Sequence, residues 1–202
     1  MLQFVKAGGP FMILLLLTSV VGLAFIIERG LALRWKKVVP PSVETAVEDF
    51  QNSGNLATLK QICLLKPSAL SRLLLVATDH LQWPRDENVD AVQTRARQEI
   101  VQLERGLVVL QIVVGIAPLL GLVGTIHGLI TLFGDLGNFG LGDNAGLAKG
   151  IAIALNTTLM GLLIAIPSLI AWSYYNKKVE ILAVEMETLC DEFLRRHYRG
   201  NA

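Results

Sequence analysis

The sequence has few charged residues, few aromatic residues and no cysteine motif. Asp, Glu, Lys and Arg make up 17% of the 202 residues, whereas soluble domains carry about 25%. The net charge is +1 and aromatic residues are 6%, so no basic or base-stacking pattern indicates nucleic-acid binding. Cys63 and Cys190 match no metal or redox spacing, and we interpret both as free thiols. No metal or cofactor site is predicted, and a membrane protein with a modest water-exposed part is favoured.

Three long stretches contain no Asp, Glu, Lys or Arg: residues 11–27, 106–133 and 150–175. About 20 apolar helical residues cross the ~30 Å hydrocarbon core of a bilayer. We therefore predict an all-α integral membrane protein with three transmembrane helices. The first run could instead be a signal peptide, but it ends in Glu28-Arg29 and no cleavage site follows.

The basic residues beside the runs predict the orientation of the chain. Positive charge clusters at residues 29–37 and again at Lys177 and Lys178, and such clusters favour the cytoplasmic side. The predicted segments are an extracytoplasmic N-terminus (1–10), span 1 (11–29), a cytoplasmic helical region (30–105), span 2 (106–133), a short periplasmic loop (134–149), span 3 (150–175) and a cytoplasmic helical tail (176–202).

The cytoplasmic region predicts a bundle of short helices followed by long ones. Ser42 and Asn55 are candidate N-caps for two helices that end near residue 52 and before Pro67. Apolar spacing predicts a third helix over 68–83. A fourth helix should begin near Asp86 and run unbroken into the second span, since no Gly or Pro lies between 88 and 106. The second and third spans are therefore expected to be very long and to extend into the cytoplasmic bundle.

One face of the second span is small and weakly polar. At 100° per residue, the opposite face carries bulky residues such as Leu119 and Ile126. Small residues let helices pack closely, while Thr125 at the middle also suits a narrow, partly wet path. The small face contains Ala117, Pro118, Gly121, Gly124, Thr125 and Gly128.

The third span repeats this design. Asn156 lies well away from its small face and is assigned to an interhelical contact. The threonine hydroxyls could bind a proton-carrying group or water, or could simply bond the carbonyl four residues earlier. The small face of the third span contains Gly150, Ala154, Thr157, Thr158, Gly161, Ala165 and Ser168.

His127 is the one classically titratable side chain within the three runs. A membrane histidine indicates function by default, but this one lies beyond the edge of the small face. A direct ion role and a neutral, hydrogen-bonded interface role both remain open. Because the runs contain no acid, we expect a titrating group to come from a partner.

The two small-faced spans resemble the proton-channel family of ExbB, TolQ and MotA. Three spans in this order match the ExbB and TolQ type better than the four-span MotA type. The matching segments are Ala117-Pro118-Leu-Leu-Gly121-Leu-Val-Gly124-Thr125-Ile-His-Gly128 and Gly150-Ile-Ala-Ile-Ala-Leu155-Asn-Thr-Thr158-Leu-Met-Gly161 with Ala165-Ile-Pro167.

The resemblance implies a homopentamer in a bacterial inner membrane, with spans 2 and 3 around a central pore. Two single-span partners of the ExbD or TolR type, each with a membrane Asp, would sit inside, and a TonB- or TolA-like protein could join them. Thr125 and Thr158 would correspond to pore threonines, with Thr157 beside them. The proton motive force would drive mechanical work for biopolymer transport or envelope function, with H⁺ favoured over Na⁺.

Two positions depart from the family pattern. Ile153 stands where ExbB and TolQ commonly carry Glu, and His127 stands where a bulky apolar residue is usual. The alternatives are a structural membrane scaffold without ion conduction and a sodium-driven or gliding stator. An enzyme is not expected, because the adjacent pair Asp79-His80 has no evident nucleophile and suits a solvated helix face.

Overall fold

The computed structural model describes residues 9–53, 55–139 and 144–200. These residues form helices and short turns, with no strand among them. The helices are α1 (Gly9–Ala32), α2 (Trp35–Val38), α3 (Pro41–Ser53), α4 (Leu56–Leu65), α5 (Ala69–Asp79), α6 (Arg85–Glu104), α7 (Leu107–Phe139) and α8 (Asn144–Gly200). The all-helical prediction is confirmed.

The chain folds as two compact units. The spanning unit contains the residues up to Glu28 together with Gly106–Tyr174. The bundle unit contains Arg29–Arg105 and the residues from Tyr175 onward. Both α1 and α8 contribute to each unit, because each helix passes the boundary without a break.

Three helices are long and apolar enough to cross a membrane, as predicted. The candidate spans lie within Pro10–Ala32, Leu107–Gly134 and Leu147–Arg199. The last of these continues as one helix through the predicted tail to Gly200. The expectation of an unusually long third helix is therefore confirmed.

One sequence prediction about a connection was wrong. The helix from residue 85 does not run unbroken into the second span, because a turn at Arg105 and Gly106 separates α6 from α7. Glycine is a poor helix former, and Arg105 keeps helical backbone angles (φ −48°, ψ −39°), so the interruption is short.

The predicted glycine-rich loop is helical on both sides. Residues 134–139 belong to α7 and 144–149 belong to α8, while 140–143 lie outside the described residues. Glycine costs a helix only about 1 kcal/mol relative to alanine. Continuing the helix keeps backbone groups hydrogen-bonded near an apolar medium, and this gain outweighs the glycine penalty.

Capping side chains mark where two short helices of the bundle unit begin. The Asn55 side chain accepts a hydrogen bond from the Thr58 backbone at 3.2 Å, as predicted. Ser68 accepts one from the Ser71 backbone at 3.1 Å. The helix that begins after Ser68 ends at Asp79 and not at residue 83, since His80 closes it and a turn follows.

The bundle unit has an apolar core that draws on α3, α5 and the second half of α8. The rings of Phe50 and Phe193 pack with centroids 4.9 Å apart, and burial of such surface is the main force that folds a water-exposed domain. Other fully buried members of this core include Val39, Val43, Val47, Leu70, Leu73, Leu74, Leu182 and Met186.

A buried carboxylate lies beside this core. Glu99 is 1% exposed and accepts hydrogen bonds from Arg72 at 2.8 Å and 2.5 Å. Arg95 reaches the same carboxylate at 2.8 Å. The hydrogen bond to Glu99 raises the pKa of Arg72. The pair of arginines neutralises a charge that would be costly to bury alone.

Candidate functional site

The second and third spans approach most closely where glycine faces glycine. A Cβ added to Gly161 would lie 2.5 Å from the Ala117 carbonyl oxygen, and one added to Gly121 would lie 2.8 Å from the Thr157 carbonyl oxygen. Gly128 meets Ala154 in the same way, with 3.0 Å between the added Cβ and the alanine Cβ. The order of these contacts makes α7 and α8 antiparallel, and no larger side chain fits between them.

Three threonine hydroxyls meet beside this crossing. Thr125 Oγ1 lies 3.2 Å from Thr157 Oγ1 and also contacts Thr158 Oγ1. The hydroxyls reach two backbone oxygens: that of Gly121, at 3.1–3.2 Å from all three, and that of Ala154, at 3.0 Å from Thr125 and 2.7 Å from Thr157. We call these three residues the threonine cluster.

Every hydroxyl proton of the threonine cluster has a hydrogen-bond acceptor within the chain. Each hydroxyl has one proton to donate and two lone pairs to accept with, and the two carbonyls provide acceptors for those protons. Thr125 and Thr157 are 8% and 2% exposed, whereas Thr158 is half-buried. A group that approaches from outside the unit can therefore reach the cluster at Thr158, where a hydroxyl lone pair can accept a hydrogen bond.

Pro118 lies one turn before the Gly121 contact and is half-buried. It has no backbone N–H, so the Val114 carbonyl four residues earlier lacks its usual helical partner. Such a freed carbonyl in a membrane helix is tolerated where protein or water lies nearby. The proline thus adds a polar backbone group close to the small face.

Bulky apolar side chains cover the rest of both helices, as predicted for the second span. Leu119, Leu122, Val123 and Ile126 are 44–61% exposed. The third span has the same arrangement, since Leu155, Leu159 and Leu162 are 43–57% exposed. These surfaces are available to lipid or to another protein chain.

The first span packs on both of the others, a contribution that the sequence pattern did not indicate. A Cβ added to Gly22 would lie 3.2 Å from Val113 and 3.3 Å from the Ser168 hydroxyl. Near the other end, Phe11 approaches the Gly124 position within 3.3 Å. A single buried glycine in an apolar run is the only signal that could have located this contact.

The two accessory candidates lie away from the threonine cluster. His127 is exposed, and its ring packs on Phe11 with centroids 5.4 Å apart. Asn156 is half-buried on the third span. The prediction that both stand off the small faces agrees with their positions, and a role for either stays a prediction.

The threonine cluster by itself contains no group suited to acid–base catalysis or to metal binding. Within the part of the chain that the structure describes, no group of three or more His, Cys, Asp or Glu residues could hold a metal ion. The cluster consists of hydroxyls and carbonyls, which bind a proton-carrying group or water but do not titrate near neutral pH.

Taken together, three helices long and apolar enough to cross a membrane, a glycine crossing and a buried hydroxyl cluster are typical of a helical membrane protein of the channel or transport type. Residues 67–188 match the model of the MotA/TolQ/ExbB proton channel family. The chain belongs to this family.

Curated relatives agree with the family match. A putative biopolymer transport protein ExbB-like 1 from Synechocystis sp. is 35% identical over 179 residues, which cover 84% of this chain and 68% of the relative. A putative biopolymer transport protein ExbB homolog from Methanothermobacter thermautotrophicus is 30% identical over 181 residues, or 89% and 64%. The biopolymer transport protein ExbB of Aquifex aeolicus is 30% identical over 113 residues, or 56% and 76%. The chain thus spans about two thirds of the length of the first two.

Proposed function

We propose that this chain is the channel subunit of an ExbB/TolQ-like inner-membrane motor that converts proton motive force into mechanical work. The single observation that carries the proposal is the threonine cluster, which opens to the exterior of the chain at Thr158. The family match and the biopolymer-transport names of the relatives support the same class.

The proposed partner is a single-span ExbD/TolR-like protein with a membrane Asp, two copies of which occupy the centre of a homopentamer. The charge-free runs of this chain support a partner that brings the titrating group. A carboxyl beside Thr158 could accept a hydrogen bond when ionised and donate one when protonated. Each proton that crosses 100 mV releases about 2.3 kcal/mol, so several protons can drive a mechanical step through a TonB/TolA-like protein.

The proposed orientation places the N-terminus in the periplasm and the C-terminus and the bundle unit in the cytoplasm. Basic residues at 29–37 and 177–178 support it. Reporter fusions at both termini test the orientation: a cytoplasm-dependent fluorescent reporter should be active at the C-terminus alone. Activity at the N-terminus would reverse the assignment.

Removal of one hydroxyl tests the channel role. We expect Thr158→Val to lower proton flux into liposomes, reconstituted with the co-purified Asp-bearing partner, by about 10- to 100-fold, since a hydrogen bond to a charged group contributes about 1.5–3 kcal/mol. Thr158→Ser, which restores a hydroxyl, is the matched control and should keep most of the flux. Normal proton flux in the Thr158→Val variant would contradict the proposed channel role.

A structural scaffold without ion conduction is the second candidate. The observation that favours it is the internal satisfaction of Thr125 and Thr157, which are buried and bonded within the chain. A scaffold would tolerate Thr158→Val in every functional assay but would lose assembly on Gly121→Leu, whose side chain meets the α8 backbone. A channel subunit would fail in both variants.

A further inference from the structure

Two polar side chains of the spanning unit that have no hydrogen-bond partner among the described residues lie within two residues of the threonine cluster. One is the His127 imidazole, whose ring packs on Phe11, and the other is the Asn156 amide. In a hydrocarbon environment each unsatisfied polar group costs several kcal/mol. The chain therefore carries two polar groups that need a partner from outside it.

His127 and Asn156 lie on opposite edges of the α7–α8 pair. His127 is two residues after Thr125, which turns it about 200° around α7 from the threonine cluster. Asn156 is two residues before Thr158, which turns it about 200° around α8. Because α7 and α8 are antiparallel, these rotations direct the two side chains away from each other, one past each helix.

The remaining sides of the pair are accounted for. The first span packs across one side, since Gly22 approaches both Val113 and Ser168. Thr158 is half-buried and can be reached from outside the unit. The His127 edge borders the first span, since Phe11 packs on the His127 ring. His127 is nevertheless exposed and Asn156 is half-buried, so both side chains can meet a neighbouring chain.

The two side chains also lie at almost the same depth. Thr125 Oγ1 is 3.0 Å from the Ala154 carbonyl oxygen and 3.2 Å from Thr157 Oγ1, so residue 125 is level with residues 154–157. His127 is two residues farther along α7, about 3 Å at 1.5 Å per residue. Copies set side by side in one membrane would bring the imidazole of one chain level with the amide of the next.

We infer that His127 of one copy hydrogen-bonds Asn156 of the adjacent copy, and that this pair fixes the lateral contact in a ring of like chains. The chemistry is complementary, since a neutral imidazole donates from one nitrogen and accepts at the other, while an amide offers both a donor and an acceptor. Each copy uses its His127 edge on one side and its Asn156 edge on the other, which is the head-to-tail contact that closes a ring. The inference rests on the homo-oligomer of the proposed function.

Disulfide cross-linking of the full chain in membranes tests the contact. In a His127→Cys/Asn156→Cys double variant, oxidation with copper phenanthroline should give a ladder of dimers and larger species up to a covalent ring. The native thiols can be retained, because Cys63 and Cys190 are buried in the bundle unit. Co-expression of the two single variants should give dimers and nothing larger.

The matched control is His127→Cys/Leu162→Cys. Leu162 is 43% exposed on the same helix but six residues beyond Asn156, about 9 Å along the axis, and a disulfide requires Cα atoms within about 7 Å. It should give no ladder. An intact ring by native mass measurement with no ladder in the first double variant would overturn this contact alone. A chain that forms no ring at all would overturn both this inference and the proposed homo-oligomer.

A substitution cycle gives a second readout that does not depend on cysteine chemistry. His127→Leu and Asn156→Leu should each speed subunit exchange by about three- to tenfold, because each leaves one polar group unpaired. The double leucine variant leaves none unpaired and should exchange no faster than either single variant. Multiplying effects in the double variant would show that the two residues act independently and would contradict the pair.

Discussion

The spanning unit and the bundle unit are both helical, but different forces hold their helices together. In the bundle unit large apolar side chains such as Phe193 and Leu182 are fully buried. In the spanning unit side chains such as Leu119 and Ile130 are 61% and 66% exposed, and the closest contacts are between glycines. Lipid tails are as apolar as leucine, so burial of leucine in a membrane contributes little and close packing of small residues takes its place.

The units also treat polar groups differently. The bundle unit buries a full charge at Glu99 and surrounds it with two arginines. The spanning unit buries neutral hydroxyls that bond backbone carbonyls. The difference follows from the medium, because arginine heads near water can remain partly solvated while charges inside a membrane cannot.

The largest expected effect is loss of a core aromatic side chain from the bundle unit. Phe193→Ala should lower the free energy of unfolding by about 3–5 kcal/mol, since it removes a fully buried ring and leaves a cavity. Phe133→Ala is the control in the spanning unit, where the ring is 62% exposed, and should cost under about 1 kcal/mol. Thermal unfolding followed by circular dichroism in detergent measures both, and equal losses would contradict the contrast between the units.

The buried carboxylate should give the next largest effect. Glu99→Ala leaves Arg72 and Arg95 without their shared partner, but both arginines are 32–39% exposed and water can solvate them. We therefore expect about 2–3 kcal/mol, below the 3–5 kcal/mol typical of a fully buried pair. Asp79→Ala, which breaks the exposed pair with Lys60, should cost about 0–1 kcal/mol. A loss from Glu99→Ala no greater than that from Asp79→Ala in chemical denaturation would place Glu99 among surface charges.

Adding a single methyl group at the glycine crossing should give the third-largest loss of stability. Gly161→Ala places Cβ 2.5 Å from a backbone oxygen that cannot move aside, and overpacking of this kind costs about 1–3 kcal/mol. Gly115→Ala is the control on the second span, because nothing lies within 4 Å of its added Cβ. The thermal stability of the detergent-solubilised protein should fall in the first variant alone. Tolerance of both would mean that the helices do not pack through these glycines.

The smallest expected effect concerns the two thiols of the bundle unit, whose ionisation should not change the folding stability at neutral pH. Burial raises the pKa of Cys63 to about 11 and that of Cys190 to about 12. Raised values mean that the unfolded chain releases these protons first, so stability is unaffected below pH 9 and falls between about pH 9 and 12. At pH 8 maleimide should label Cys63 at least ~100-fold more slowly than in the unfolded chain. Rapid labelling of the folded protein would place this thiol at the surface.

Much of the fold could be predicted from the chain because long apolar runs and capping residues act locally. The charge-free runs predicted three spans, and Asn55 and Ser68 mark helix starts that the structure confirms. Residues 134–139 and 144–149 of the predicted loop are helical instead, because glycine content is a weak local preference that a continuing helix overrides. The local spacing pairs Glu99 with Arg95 but does not indicate its burial, which depends on Arg72, 27 residues away.

The sequence by itself determined the class of this protein: three apolar helices, two small weakly polar faces and a family match over residues 67–188. These features follow from composition and from the 3.6-residue period, which depend on neighbours along the chain. Only the tertiary structure decided that Thr125 meets Thr157 and Thr158, and that Phe11 of the first span packs on His127. Periodicity specifies which residues share a face of one helix, whereas the partner of each face depends on how separate helices pack.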